Sequence, residues 1–144
     1  MKLTAPVQAL LRGARTIAVV GLSHDPARPS FGVARYLRQQ GYRIIPVNPL
    51  ETEVLGERSY PDLDAIPPEL RPIDIVDVFR RAEHVPGVAE AAVRIGARML
   101  WLQEGVTHAA AEAAAAKAGL LVVADHCLLK AHVRLMAAQR QGDA

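Results

Sequence analysis

The chain has 144 residues, 51% of them hydrophobic, with seventeen Lys plus Arg against fifteen Asp plus Glu and a net charge of +2. That length and apolar content describe one domain with one core, and so small and dispersed a charge argues against DNA or RNA as partner, even at a pI near 9.0. A single cysteine, Cys127, excludes an internal disulfide and fits a reducing compartment.

Residues 4–13 predict a short helix with Thr4 as N-cap, Pro6 in the first turn, Val7, Leu10 and Leu11 on one face and Gly13 past the end. It is expected to pack on the rest of a single domain spanning 1–144, whose last residues, 140–144, read as a frayed polar tail. The first residues are broken by Pro6 and Gln8 and have no long apolar core, so they are not read as a signal peptide. No run approaches the roughly 20 apolar residues that span a bilayer. A soluble, cytoplasmic protein is expected.

Ile17 to Val20 reads as the first strand, ending in Gly21. A polar loop follows, and Ser30 stands as N-cap of a helix with Val33, Ala34 and Leu37 on its apolar face, stopped at Gly41. Such a strand, loop and helix N-terminus aims backbone N–H groups and the positive end of the helix dipole at one point, which suits a phosphate or pyrophosphate. The second strand runs from Tyr42 toward Asn48-Pro49 and contains Pro46, which prefers an edge or a position free of ladder bonding.

From Leu50 to Pro72 the chain is rich in Pro, Glu and Asp and predicts a connection with a turn or two, one of them near Leu63 to Ile66. The third strand is Ile73 to Phe79, with Arg80-Arg81 at its exit, followed by a helix from about Glu83 to Ile95. Ala97 to Leu102 is the fourth strand; Gln103-Glu104-Gly105 then lead to Thr107, the expected N-cap of an alanine-rich helix up to Lys117. Leu120 to Ala124 is the fifth strand, and Leu128 to about Gln139 the last helix.

Five β-runs alternating with helical runs argue for an α/β, Rossmann-like doubly wound sheet of five parallel strands, helices on both faces, for which the order 3-2-1-4-5 is expected. Ligands bind such sheets outside the carboxyl ends of the strands, at the switch in strand order. The exits Gly21-Leu22-Ser23, Asn48-Pro49, Phe79-Arg80 and Gln103-Glu104-Gly105 therefore carry the functional expectation.

A nicotinamide or flavin dinucleotide is the first candidate, but its GxGxxG fingerprint needs a second glycine where Ser23 stands. Asn48 replaces the acidic residue that should meet the ribose, and the Gly21 to Ser30 loop is about twice as long as the tight turn of that motif.

Ala-Val-Val-Gly-Leu-Ser-x5-Arg-Pro-Ser, Tyr-Arg-Ile-Ile-Pro-Val-Asn-Pro, Leu-Gly-Glu-Arg-Ser-Tyr-Pro-Asp-Leu, Val-Asp-Val-Phe-Arg-Arg, Trp-Leu-Gln-Glu-Gly-Val and Asp-His-Cys-Leu occur in this order. From about Ala14 to Leu135 the sequence resembles the small stand-alone CoA-binding proteins, a family similar to the N-terminal CoA-binding domain of the succinyl-CoA synthetase α subunit. The resemblance implies that Gly21, Leu22, Ser23 and His24 lie along the CoA pyrophosphate and pantetheine. It implies that Arg28, Pro29 and Ser30 meet a phosphate, that Asn48 and Pro49 lie beside the adenosine, and that Phe79 and Arg80 offer an apolar wall and a cation. Gln103, Glu104 and Gly105 match the exit that follows the pantetheine arm. The family pattern continues an Asp-Arg-Cys motif toward a Glu-His pair, whereas here His126 takes the Arg position and Ala131 precedes His132. The synthetases' phosphohistidine and second domain have no counterpart in these residues, so their reaction is not implied.

The expected function is binding of coenzyme A or an acyl-CoA without catalysis, with no catalytic residue and no metal assigned. A small NAD(P)-dependent oxidoreductase and a CoA-supplying subunit of an acyl-CoA ligase stay open, as does a homodimer. Plainer readings stand beside the site residues: Gly21 could merely end a strand, Asn48-Pro49 is a common turn pair, and Arg80-Arg81 could be a solvated edge. Cys127 reads as structural, and Asp125, His126, Cys127 and His132 match no common zinc spacing.

Overall fold

The computed structural model describes residues 2–142. Helix α1 (Ala5–Gly13) starts as expected: Thr4 Oγ1 accepts the Val7 amide at 3.4 Å, and Val7, Leu10 and Leu11 are buried. Strand β1 (Thr16–Val20) is covered on both faces along its whole length, as a β-branched run of this kind demands in a parallel sheet. Helix α2 (Pro29–Gln39) returns the chain to β2 (Arg43–Val47).

Between β2 and the next long strand lie a hairpin, β3 (Glu53–Val54) with β4 (Glu57–Arg58), and two 3-10 turns, Leu63–Ala65 and Pro68–Leu70. Then come β5 (Ile75–Val78), α3 (Val85–Arg94), β6 (Met99–Leu102), α4 (Ala109–Lys117), β7 (Leu121–Val123) and α5 (Leu128–Arg140). The tail expected at 140–144 falls partly outside the described residues; what is described is helix to Arg140, closed by Gln141.

The five-stranded sheet is wholly parallel, in the order β2-β1-β5-β6-β7. In the count of the long strands this is 2-1-3-4-5, which corrects the expected 3-2-1-4-5: the third long strand pairs with β1 rather than with β2. Pro46 shows why. It pairs with Val19 of β1 but turns its missing N–H outward, and on that side its carbonyl accepts the Tyr60 amide at 3.0 Å. A second full strand there would meet a position without a donor, so β2 is an edge, covered by the Val47–Tyr60 bridge and the following hairpin. The switch point accordingly lies between β1 and β5, where chain progression reverses.

Alternation along the strands sends side chains into two cores. Ala18, Val20, Val76, Val78, Leu100 and Leu102 face α3, α4 and the 3-10 turns, with Leu63 and Ile66 filling the space a crossover helix would take. Ile17, Val19, Ile75, Met99 and Trp101 face α1, α2 and α5. At the amino ends of the strands, Asp74 accepts the amides of Arg15 (2.8 Å) and Thr16 (3.1 Å), tying α1's exit to the sheet.

Two caps differ from expectation. Arg28, not Ser30, is the N-cap of α2, and Ser30 sits at the second helical position, buried. His108, not Thr107, caps α4: its Nδ1 accepts the Ala111 amide at 3.1 Å while Glu112 reaches back to the His108 amide at 2.8 Å. The exchange is reciprocal like a capping box, but with an imidazole in place of the hydroxyl and the carboxylate one residue later, at the fourth helical position.

Candidate functional site

The exits of β1, β2, β5 and β6 and the N-terminal turns of α2 and α5 surround an open cleft of about 850 Å3. That is within the range of small-molecule and cofactor pockets. Of the residues expected to bind, Gly21, Ser23, His24, Arg28, Pro29, Ser30, Asn48, Phe79, Arg80, Gln103, Glu104 and Gly105 all line it. Leu22 and Pro49 do not. The Leu22 side chain is fully buried in the α2-side core, and Pro49 belongs to the turn behind Asn48.

Gly21 is demanded by geometry. Its φ is +87°, and a Cβ there would stand 2.5 Å from the Phe79 carbonyl oxygen and 3.1 Å from Arg80 Cδ. The glycine therefore lets the exits of β1 and β5 close together at the switch point. Ser30 serves the same loop rather than its own helix: its Oγ accepts the Ser23 amide at 3.1 Å, and Ser23 Oγ in turn accepts that of Asp25 at 3.0 Å. Asn48 joins two exits, donating from Nδ2 to the Leu22 carbonyl at 3.1 Å and accepting the Leu50 amide at Oδ1.

An anion position is already marked inside this loop. Glu51 Oε2 accepts the His24 backbone amide at 2.8 Å and lies 2.7 Å from His24 Nδ1. These donations, the backbone one foremost, hold the Glu51 carboxyl below its ordinary range. A backbone N–H and an imidazole thus converge on a carboxylate next to the N-terminus of α2, which is the donor set a phosphate would use. Arg28, Arg80 and Arg81 line the same end, and none is paired with a carboxylate among the described residues.

The opposite end, at β6 and β7, has a different character. Gly105, Val106 and Cys127 line it, and the Gly105 amide is held by Asp125 Oδ1 at 2.7 Å. Asp125 adopts φ +60° to do so. Glu104 faces Lys130 across 3.1 Å.

Beneath the cleft lies a buried acid. Asp77 belongs to β5, between Val19 and Trp101, and is fully buried. Gln103 Nε2 donates to its Oδ1 at 2.6 Å, while Oδ2 has no hydrogen-bond partner among the described residues. Burial pushes the carboxyl up to about 7, because the charged form loses its hydration and gains a single neutral donor.

Sequence reasoning did not single out Val33, Leu50, Glu51, Arg81, Val106 and Cys127 as lining. Arg81 and Cys127 were signalled by their strand exits. Leu50 is 91% exposed at the rim, and its place, like that of Glu51, depends on how the connection after β2 folds back. His132 belongs elsewhere: it is buried between α2 and α5, bonded through Nδ1 to the Tyr36 hydroxyl at 2.7 Å and edge-on to Tyr42.

Comparison with known proteins agrees with this geometry. The chain is 41% identical over 128 residues to the uncharacterized protein YneT of Bacillus subtilis, covering 89% of this chain and 93% of that one. A solved structure from Thermus thermophilus, 41% identical, superposes with a TM-score of 0.84 and covers 90% of this chain and 96% of its own. Acetate–CoA ligase (ADP-forming) II of Archaeoglobus fulgidus is 35% identical over 81 residues, 54% of this chain but 12% of the ligase. Residues 15–133 match the family model described as a CoA binding domain. With the whole sheet and every strand exit inside that match, the chain belongs to the CoA binding domain family.

Proposed function

We propose that this protein binds coenzyme A, free or acylated, across the carboxyl ends of β1, β5 and β6, without carrying out chemistry of its own. The observation that carries the reading is the cationic end of the cleft. Three arginines without carboxylate partners among the described residues, Arg28, Arg80 and Arg81, line the cleft with the α2 N-terminus and the donor pair that now holds Glu51. Phosphates of the nucleotide belong there, the adenine beside Phe79 and exposed Leu50, and the uncharged pantetheine toward Gly105 and Cys127.

Calorimetric titration with CoA tests this, with dephospho-CoA, ADP and NADH as comparisons. Binding of CoA in preference to NADH is expected; no heat with CoA and none with dephospho-CoA or ADP refutes the reading, and fluorescence enhancement of NADH would replace it with the dinucleotide alternative. Arg28→Ala separates the phosphates. A larger loss for CoA than for dephospho-CoA puts Arg28 at the 3′-phosphate, and an equal loss puts it at the pyrophosphate. Either loss is expected at about 1.5–3 kcal/mol, as for a charge-assisted hydrogen bond.

The similarity to a segment amounting to 12% of a larger acetate–CoA ligase favours a second reading, a module that presents CoA to a separate ligase. Co-purification of an ATP-using ligase subunit with the native protein tests it.

A further inference from the structure

We propose that the acyl group this site accepts ends in a carboxylate, and that it lies in a second cavity beside the cleft; the inference rests on the CoA reading above. Behind Glu104 and Cys127 a cavity of about 620 Å3 opens between the start of α1 and the outer turns of α5. Glu104 and Cys127 line both spaces, so the two adjoin at a shared wall.

The polarity of the cleft sets the direction of the ligand. Arg28, Arg80 and Arg81 collect the phosphates at the β1–β5 end, and the Gly105–Cys127 end is free of arginine. A molecule with phosphates at one end and a neutral thiol arm at the other lies in one orientation, its sulfur toward Cys127. Whatever is esterified to that sulfur continues into the second cavity.

The lining of that cavity selects the substituent. Lys2, Lys130 and Arg134 face it against a single carboxylate, Glu104. Glu104 already occupies Lys130 at 3.1 Å, which leaves Lys2 and Arg134 without a carboxylate partner among the described residues. Leu135 and Ala138 supply apolar wall for a few methylenes. An acyl chain that is apolar along its length and anionic at its tip meets both features. A neutral acyl chain meets only one, and leaves the cations to water.

Affinities for malonyl-, succinyl- and glutaryl-CoA are to be measured by calorimetry against propionyl-, butyryl- and valeryl-CoA, pairs matched in carbon number. At least one carboxylated member is expected to bind five times or more tightly than its neutral match, with the ratio shrinking in high salt. Arg134→Gln should bring that ratio toward one while leaving the affinity for free CoA unchanged. Glu104→Gln, which releases Lys130 and removes the competing charge, should raise the ratio whatever it does to CoA itself. Opposite signs in these two variants exclude general damage. If Arg134→Gln fails to fold by circular dichroism, Lys2→Gln, outside every helix, reads the same ratio.

Equal binding of matched pairs overturns the proposal, as does a loss in Arg134→Gln shared equally by CoA and its acylated forms. Those results leave the CoA reading standing. Failure of every CoA species to bind removes both.

Discussion

Replacing Asp77 by Asn isolates the electrostatic cost of the acid under the cleft. Asp77 is fully buried, its carboxyl is pushed up to about 7, and among the described residues only Gln103 Nε2, 2.6 Å away, offers it a hydrogen bond. An unfolded Asp titrates near 3.9, so the folded state holds the proton more tightly. The stability this confers is fully present below about pH 4 and is lost as pH rises toward about 7. A gap of about three pH units at 1.36 kcal/mol each puts the whole effect at about 4 kcal/mol. Part of that is already lost at pH 5, so about 3 kcal/mol should disappear between pH 5 and pH 8. Asp77→Asn has the same shape and no proton to lose. Its stability relative to the parent should therefore rise by that amount across the interval, whatever its offset at pH 5. Urea unfolding of both proteins at pH 5, 6, 7 and 8 measures the difference, in which every other titration cancels. A difference that stays flat with pH would refute the argument, since it would mean that Asp77 reaches water in the folded protein.

His132 should give the opposite dependence. Burial between α2 and α5 lowers its pKa from the ordinary 6.5, so the unfolded chain takes up the proton first and stability falls as pH drops below about 6.5; in the Asp77→Asn background, acid should then destabilise without a compensating gain, which urea midpoints at pH 7.5 and 5 will show. Gly21→Ala must hold a Cβ at φ +87°, 2.5 Å from the Phe79 carbonyl; a loss of about 2–3 kcal/mol or more is expected from strain and clash together, and a thermal melt unchanged from the parent would contradict it. Glu51→Gln should bind CoA several-fold more tightly, because it keeps an acceptor for the His24 amide and removes a negative charge from the phosphate end; weaker binding in calorimetry would show that Glu51 organises the loop instead.

Much of the fold is legible locally. The five parallel strands stand where β-branched runs predict them, and Thr4 caps α1 as read. The hairpin after β2 escaped notice because its turn places Leu55 at φ +53° before Gly56 at +76°, where the usual signal is Asn or Asp before Gly. Ser30 looked like a cap because hydroxyls at helix starts generally are; its oxygen is instead spent on Ser23, seven residues back. His108 was passed over for Thr107 because an imidazole is an uncommon cap. The strand order differs from the expected one because of Pro46: a proline that faces outward from β2 leaves no donor for a third strand there.

The amino-acid sequence by itself determined which residues gather at the carboxyl ends of the strands, because each exit is encoded by a short β-run ending in glycine, asparagine, arginine or glutamine. Residues such as Gly21, Arg28, Arg80 and Gln103 were visible for that reason, and twelve of the fourteen expected positions line one cleft. Only the tertiary structure decided how these exits are ordered, that Asp77 lies buried below them and that Glu51 rests on the His24 amide. Those properties depend on what packs against each residue from distant parts of the chain, and periodicity along one strand or helix carries no record of it.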